Sequence, residues 1–438
     1  MTVVLSSTHS LAGLEKQPAS EYHARRVALA AKLGGGAALI FGANEPGMEY
    51  ESWRQDEDFY YLSGWNEPGG VLLIEAALAP DPYREILFLP VLNPRFEKYK
   101  GEQLDPRNPE AARIAGFDEV RPVTELLAEL VRILTPVTAT STSPRPTHLA
   151  IKPDDMNAKG ALDLAGLAIN SRLAPPHDLS AMIAEQRMTK SAGELALLKK
   201  AAEASVQAHK ALFKAIEPGV SERTIEGLID YKLKVNGCER PAYPSIIGTG
   251  ANSTVLHYMG GDSIMKAGDL VVIDAAGEYS MYASDITRTL PVSGRFTARQ
   301  REIYDIVLGA QQAAIASFVS GKSYMGDRTD RKDPNSLNKV AFDYINTHGK
   351  DLHNGPLGQY WIHGLGHSVG VDVHDPYDYS KPFGPGSVFA LEPGVYIPEE
   401  RIGVRIEDTF YVDSNGKLIS LTGALPHTAD EVEAAMKR

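Results

Sequence analysis

The segment Leu270–Leu290, LVVIDAAGEYSMYASDITRTL, constrains the fold of this chain more than any other. Leu270–Ala275 and Met281–Thr289 are rich in β-branched and aliphatic residues, and Gly277–Ser280 separates them, so the pattern predicts a β-hairpin. Each strand carries one aspartate. A hairpin whose axis lies between Tyr279 and Ser280 sets Asp274 directly opposite Asp285, with Cβ atoms roughly 5 Å apart, where two carboxylates repel. Apolar strands tolerate such a pair only if one acid stays protonated or a cation lies between them. The plainer alternative is a solvated acidic pair at a sheet edge.

A second acidic pair follows in FALEPGVYIPEERIGVRIEDTFYV, residues 389–412, where Glu392 and Glu407 stand symmetric about the turn PEER. A glutamate within apolar strands such as VRIED is costly to bury unpaired. Between the two hairpins lies WIHGLGHSVGVDVHD, residues 361–375, with His363, His367 and His374. His363 and His367 have the spacing of one helical face, but Gly364, Gly366 and Gly370 argue for a close-packed, turn-rich segment. Four carboxylates and at least one imidazole on strands of one domain form a site for two divalent cations bridged by carboxylates. Oxygen-rich ligation with a single nitrogen selects hard or borderline ions, manganese first, with cobalt or zinc able to occupy the site. Two such ions roughly 3.5–4 Å apart can hold a hydroxide between them and polarise a carbonyl.

A chain of 438 residues exceeds what one hydrophobic core usually organises, so two domains are expected. From Tyr22 to about Pro176, helical patterns alternate with short apolar runs at 37–42, 71–78, 85–92 and 148–153, which suggests a small α/β domain. Gly34–Gly36 lacks the preceding strand and following lysine of a phosphate loop and reads as a turn, and the proline- and threonine-rich Thr135–Thr147 reads as a surface loop. A boundary falls near Pro175–Leu179. Ser191 with Glu194, and Thr297 with Gln300, form capping boxes that open helices, and the polar stretch 323–358 reads as an exposed loop with one helix around Lys339–Asn346.

Composition narrows the partners. The net charge of −12, without a long lysine or arginine run, excludes a nucleic-acid partner. No segment approaches the roughly 20 apolar residues of a membrane helix, and the first residues show no secretory pattern, so a cytoplasmic protein with no membrane partner is expected. Cys238 is the sole cysteine and has no base beside it in VNGCERP, which makes it structural and rules out an intrachain disulfide.

On the motifs IIGTGANSTVLHY, GDLVVIDAAGEYSMYASDITRTLPVSGRF, HGLGHSVGVDVHD, LEPGVYI and GVRIED, the chain resembles the aminopeptidase P and prolidase family. The resemblance implies an α+β protein: an N-terminal α/β accessory domain, residues 1–177, followed by a pita-bread catalytic domain like that of creatinase and methionine aminopeptidase, residues 178–438. RQDEDFYYLSGWNEPGG, residues 54–70, resembles the accessory-domain signature. The family's five metal ligands fall on Asp274, Asp285, His367, Glu392 and Glu407, with Asp285 and Glu407 as bridging carboxylates. His257 and His374 match histidines around the scissile bond, His363 one beside the substrate pocket, and Arg405 the arginine before the last ligand, which could equally be an ion-pair partner of the ligands. Glu392 doubles as ligand and proton acceptor. The implied activity is hydrolysis of the bond between an N-terminal residue and a following proline by a metal-bridging hydroxide. An Xaa-Pro dipeptidase with the same chemistry is the alternative, and a non-catalytic scaffold a more distant one. The departures are the absence of arginine from DPYDYSKPFGPGSVFAL, residues 375–391, and a long connection at 323–358; both bear on peptide length. Tyr99 occupies the place of an aromatic that reaches a neighbouring subunit in some relatives, and the family is often oligomeric, so a homodimer or homotetramer is expected.

Overall fold

The computed structural model describes residues 14–45, 52–76, 83–93, 97–99, 101–135, 146–327, 329 and 332–437; most of the expected loop Thr135–Thr147 lies outside them. The chain divides into two compact units, Met1–Gln186 and Arg187–Arg438.

The first unit is built on a six-stranded mixed sheet in the order β4-β3-β2-β1-β5-β6. Its strands are β1 (Ala37–Phe41), β2 (Val71–Glu75), β3 (Arg84–Leu89), β4 (Glu119–Pro122), β5 (Leu149–Ile151) and β6 (His177–Asp178). The expected apolar runs form β1, β2, β3 and β5; residues 77 and 78 of the second lie outside the described residues. β2 is buried at every position, which is why VLLI runs without alternation: helices cover both faces. One face packs Leu39, Leu73, Ile86 and Phe88 against Leu130 and Leu162 from the helices Leu126–Leu134 and Met156–Ala168. Gly34 and Gly35, at φ +56° and +86°, make the turn into β1. The expected boundary between 177 and 178 falls inside β6.

In the second unit, short antiparallel sheets are wrapped by long helices. The strands are β7 (Arg240–Pro241), β8 (Ile246–Thr249), β9 (Leu270–Asp274), β10 (Gly277–Tyr279), β11 (Tyr282–Ala283), β12 (Thr287–Pro291), β13 (Val388–Leu391), β14 (Gly394–Ile397), β15 (Ile402–Arg405), β16 (Asp408–Val412) and β17 (Leu418–Ser420). β8, β9 and β12 form one sheet and β13, β16 and β17 another, while β14 pairs with β15. An isolated bridge, Thr287 to Glu407, links β12 to the residue just before β16. Both expected capping boxes open helices, Ala192–Ala215 and Ala298–Ser317, and a third, Thr428 with Glu431, opens the helix Ala429–Met436. The helix expected around Lys339–Asn346 spans Leu337–His348. The shared core gathers Ile229, Leu233, Ile273, Val307, Leu391 and Val404 beneath the sheets.

The aspartate hairpin forms with a different register from the one expected. Asp274 lies opposite Thr287, not Asp285. The turn is Ser280–Met281, both at positive φ (+49° and +72°), so the hairpin axis lies one residue later than a pairing of Asp274 with Asp285 requires. Gly277 belongs to β10 instead of the turn: a Cβ there would come within 2.4 Å of Cys238 Sγ. Its missing side chain serves helix–sheet packing, a reason no local pattern discloses.

Candidate metal centre

A cavity of about 280 Å³ in the second unit is lined by Asp274, Asp285, His367, Glu392 and Glu407, together with His257, His374, Tyr243 and the apolar Ile246, Met259 and Val373. A wider open groove of about 990 Å³ runs along 159–176 in the first unit, but mainly apolar and isolated charged side chains line it, so the chemistry points to the smaller cavity.

Of the four carboxylates only Asp274 lies within a strand, at the end of β9. Asp285 falls between β11 and β12, Glu392 between β13 and β14, and Glu407 between β15 and β16, while His367 lies on the irregular, turn-rich segment 361–375. This corrects the expectation that the carboxylates ride on strands. A break in a ladder releases a residue from strict in–out alternation, and these breaks let side chains from several hairpins converge. The second acidic pair keeps its symmetry: Gly394 faces Arg405 in the β14–β15 ladder, which leaves Glu392 and Glu407 level just beyond its end.

Single donor atoms of Asp285, His367 and Glu407 lie within 4.8 Å of one another, an arrangement that could hold a metal ion. His367 Nε2 is 3.3 Å from Asp285 Oδ2 and 3.6 Å from Glu392 Oε1, while its Nδ1 lies 3.1 Å from Ser368 O. That contact fixes the ring with Nε2 toward the acids. Arg405 Nη2 donates to Asp274 Oδ2 (2.7 Å), Thr287 Oγ1 to Glu407 Oε2 (2.7 Å), and the Tyr243 hydroxyl to Asp285 Oδ1 (2.6 Å). Two buried oxygens, Asp274 Oδ1 and Glu407 Oε1, have no hydrogen-bond partner among the described residues. Unpaired buried carboxylate oxygens are costly, and a cation satisfies them where a hydrogen bond does not.

The electrostatics agree. Burial first, then the neighbouring carboxylates, push Glu392 up to about 7 against the pull of His367 and Arg405. Glu407 is raised well above the usual carboxylate range by burial and by Asp285, Glu392 and Asp274; Asp274 is raised by burial and Asp285 despite Arg405. Burial alone would lower the His367 imidazole, but Asp285 and Glu392 raise it to about 9. A crowd of acids this reluctant to ionise together favours added positive charge, so four carboxylates and one imidazole fit a divalent-cation site.

The other expected residues divide into two groups. His257 and His374 line the cavity, and among the described residues neither imidazole has a hydrogen-bond partner. The His374 ring stands edge-on to His367 at 4.4 Å, and burial, then His367, lowers its pKa. Arg405 and His363 instead belong to the wall. Arg405 is buried, and besides Asp274 it donates to the Tyr396 hydroxyl (2.9 Å) and to Thr287 Oγ1 (3.2 Å). Its geometry is that of an ion-pair partner to Asp274. His363 Nε2 lies 2.9 Å from the same Tyr396 hydroxyl and its Nδ1 2.8 Å from Gly364 O. Sequence reasoning missed Tyr243, Tyr396 and Thr287, because a tyrosine in PAYPSII or EPGVYI and a threonine in a strand look like packing until the fold brings them to the acids. Cys238 is buried and burial pushes its thiol up to about 12, as suits a packing residue.

Residues 196–414 match the profile of Metallopeptidase family M24, and residues 22–140 that of Aminopeptidase P, N-terminal domain. The chain belongs to the M24 metallopeptidases. It is similar to the Xaa-Pro aminopeptidase of Escherichia coli, 33% identical over 441 residues, covering 95% of this chain and 97% of the relative. Among solved structures it is similar to proline aminopeptidase P II from Yersinia pestis, at TM-score 0.82 and 32% identity, covering 96% of this chain and 99% of that one. An Xaa-Pro dipeptidase of Pyrococcus furiosus is 37% identical over 240 residues, 54% of this chain and 63% of its own length. The architecture is that of this family: an aminopeptidase P-type N-terminal domain followed by a pita-bread M24 domain.

Proposed function

We propose that this M24 enzyme is an Xaa-Pro aminopeptidase, acting on peptides with proline in second place and requiring two divalent cations, manganese first, with cobalt or zinc able to substitute. The observation that carries this reading is the convergent donor set of Asp274, Asp285, His367, Glu392 and Glu407, in which Asp274 Oδ1 and Glu407 Oε1 are buried without a hydrogen-bond partner among the described residues. In this reading all five would hold the cations, with Asp285 and Glu407 shared between them. Divalent cations in such a site supply a nucleophile at neutral pH and Lewis-acid polarisation of the scissile carbonyl.

The remaining work falls to side chains. Glu392, 3.6 Å from His367 Nε2 on the cavity wall, accepts the proton given up by the attacking water. His257 and His374, on the cavity wall, donate to the carbonyl oxygen as charge develops on it and return a proton to the departing proline nitrogen. Arg405 holds Asp274, and Tyr396 links Arg405 to His363 beside the pocket. Proline suits such a site because an Xaa-Pro bond lacks the N–H through which extended peptides are usually held, and this chemistry does not need it.

The alternative is an Xaa-Pro dipeptidase, favoured by the 37% identity to the Pyrococcus furiosus protein. That likeness spans 54% of the chain, whereas the likeness to the Escherichia coli aminopeptidase spans 95%. The aminopeptidase reading therefore stands first. Among the described residues no helix is long and apolar enough to cross a membrane, and Tyr99 is exposed; a cytoplasmic homo-oligomer, dimer or tetramer, completes the proposal. The test is amino acid release from Gly-Pro-Ala and from Gly-Pro by the manganese-loaded enzyme. Faster cleavage of the tripeptide supports the aminopeptidase, the reverse order makes it a dipeptidase, and inactivity on both with metal bound refutes a peptidase.

A further inference from the structure

We infer that Glu222 is a positioning residue for His257; the inference rests on the reading of His257 as a donor at the scissile carbonyl. Glu222 opens the helix Glu222–Val235, and its side chain is fully buried. It does not cap its own helix. That task belongs to Ser221, whose side chain accepts from Thr224 N.

The Glu222 carboxylate instead ties together the two ends of the segment 249–263, which carries His257. Oε1 accepts from Thr249 N (2.8 Å) and from Asn252 Nδ2 (3.1 Å), and Oε2 accepts from Ser263 N (3.2 Å). Asn252 Nδ2 also reaches Ser263 Oγ (2.9 Å), and Glu222 N donates to Ser263 O (3.0 Å). Thr249 N and Ser263 N are backbone donors at opposite ends of the segment, the Tyr258 hydroxyl beside His257 also hydrogen-bonds to this carboxylate, and hydrogen bonds to a charged acceptor are among the strongest available.

The segment has further anchors: Arg223 N donates to Gly261 O (3.0 Å), and the Arg223 guanidinium pairs with Asp262. Its first turn, Gly250–Thr254, seats on β15, where Gly403 N donates to Ser253 Oγ (2.9 Å). Beyond that turn the chain runs out over the cavity. Val255 is 52% and Met259 65% exposed, and among the described residues the His257 ring has no hydrogen-bond partner. A histidine carried on such a tip takes its position from the base of the segment, where the Glu222 carboxylate holds both ends.

Glu222→Gln separates positioning from bulk stability. The amide keeps the side-chain volume but can accept at one arm only; its NH₂ meets an N–H donor at the other, which releases one end of the segment. Misplacement of a catalytic group by a fraction of an ångström lowers turnover, so kcat of the manganese-loaded enzyme is expected to fall by a factor on the order of 10, with KM within about twofold. Bound metal per chain, measured by elemental analysis, stays at the parent value because none of the five candidate ligands lies on this segment.

The deciding measurement is the cycle with His257→Ala. If Glu222 acts through His257, then E222Q adds no further loss of kcat in the H257A background. An equal loss with and without His257, or parent turnover in E222Q alone, overturns the inference and leaves the reading of His257 intact. Parent turnover in H257A overturns that reading and the inference with it. Should E222Q fail to fold, Asn252→Ala removes one donor to the Glu222 carboxylate and loosens the same base with Glu222 kept, and the same cycle decides with the same outcomes.

Discussion

Asp375 directly follows His374, and its replacement by alanine tests how the segment that carries His367 and His374 is held in place. Its carboxylate is buried between two cations: Arg187 Nη2 at 2.6 Å from Oδ1 and Lys190 Nζ at 3.0 Å from Oδ2, with side chains only 5% and 1% exposed. Lys190 also donates to Ser368 Oγ (3.1 Å), and Asp375 N to Ser368 O (3.0 Å), so one ion cluster fixes the residues next to both histidines. Asp375→Ala leaves two buried cations without their acid, which costs roughly 3–5 kcal/mol. For a unit of this size that lowers the melting temperature by about 6–20 °C. The pH dependence adds a second signature. Burial alone would raise the Asp375 carboxyl, but Lys190 and Arg187 outweigh it and hold it below the usual range. A depressed folded-state pKa contributes stability that is complete above the unfolded value of about 3.9 and is lost as pH falls through the folded value. Urea unfolding followed between about pH 7 and pH 2 should therefore show the parent losing stability in acid that the variant never had. A loss below about 1 kcal/mol at pH 7, or parent and variant falling in parallel through acid, would refute the reasoning.

The other predictions concern the site and its walls. Asp285→Ala or Glu407→Ala abolishes peptide hydrolysis through lost metal while circular dichroism reports an intact fold; full activity in either variant after metal stripping would sink the proposed centre. His374→Ala lowers kcat by a factor on the order of 100 with bound metal retained, and unchanged turnover would assign the ring to packing. Gly403→Ala places a Cβ 1.9 Å from Ser253 O, a backbone atom that cannot step aside, so urea unfolding should show a loss of about 1–3 kcal/mol. A stability equal to the parent's would mean that the turn Gly250–Thr254 can lift off β15.

Much of the architecture was legible because it is written in local chemistry. Ser191 with Glu194 and Thr297 with Gln300 open helices where their side chains satisfy the first free N–H groups, a requirement met within four residues. The runs LVVID and VLLIE form strands because their side chains suit a buried pleated surface. The acids at 274, 285, 392 and 407 drew notice because charge inside apolar sequence has to be compensated. What the sequence could not yield were quantities set by distant neighbours. The hairpin register depended on Ser280 and Met281 adopting positive φ while Gly277 was claimed by contact with Cys238.

The sequence by itself therefore determined the elements and the set of charged side chains that must share a site, since propensity, capping and the cost of burying charge all act along the chain. Tertiary structure alone decided which atoms meet. It put Arg405 on Asp274 across 131 positions, Tyr243 on Asp285 across 42, and Glu222 under the segment bearing His257. Hydrogen bonds are satisfied at about 3 Å whatever the separation in sequence, and only the packed sheets and helices bring such partners within that distance.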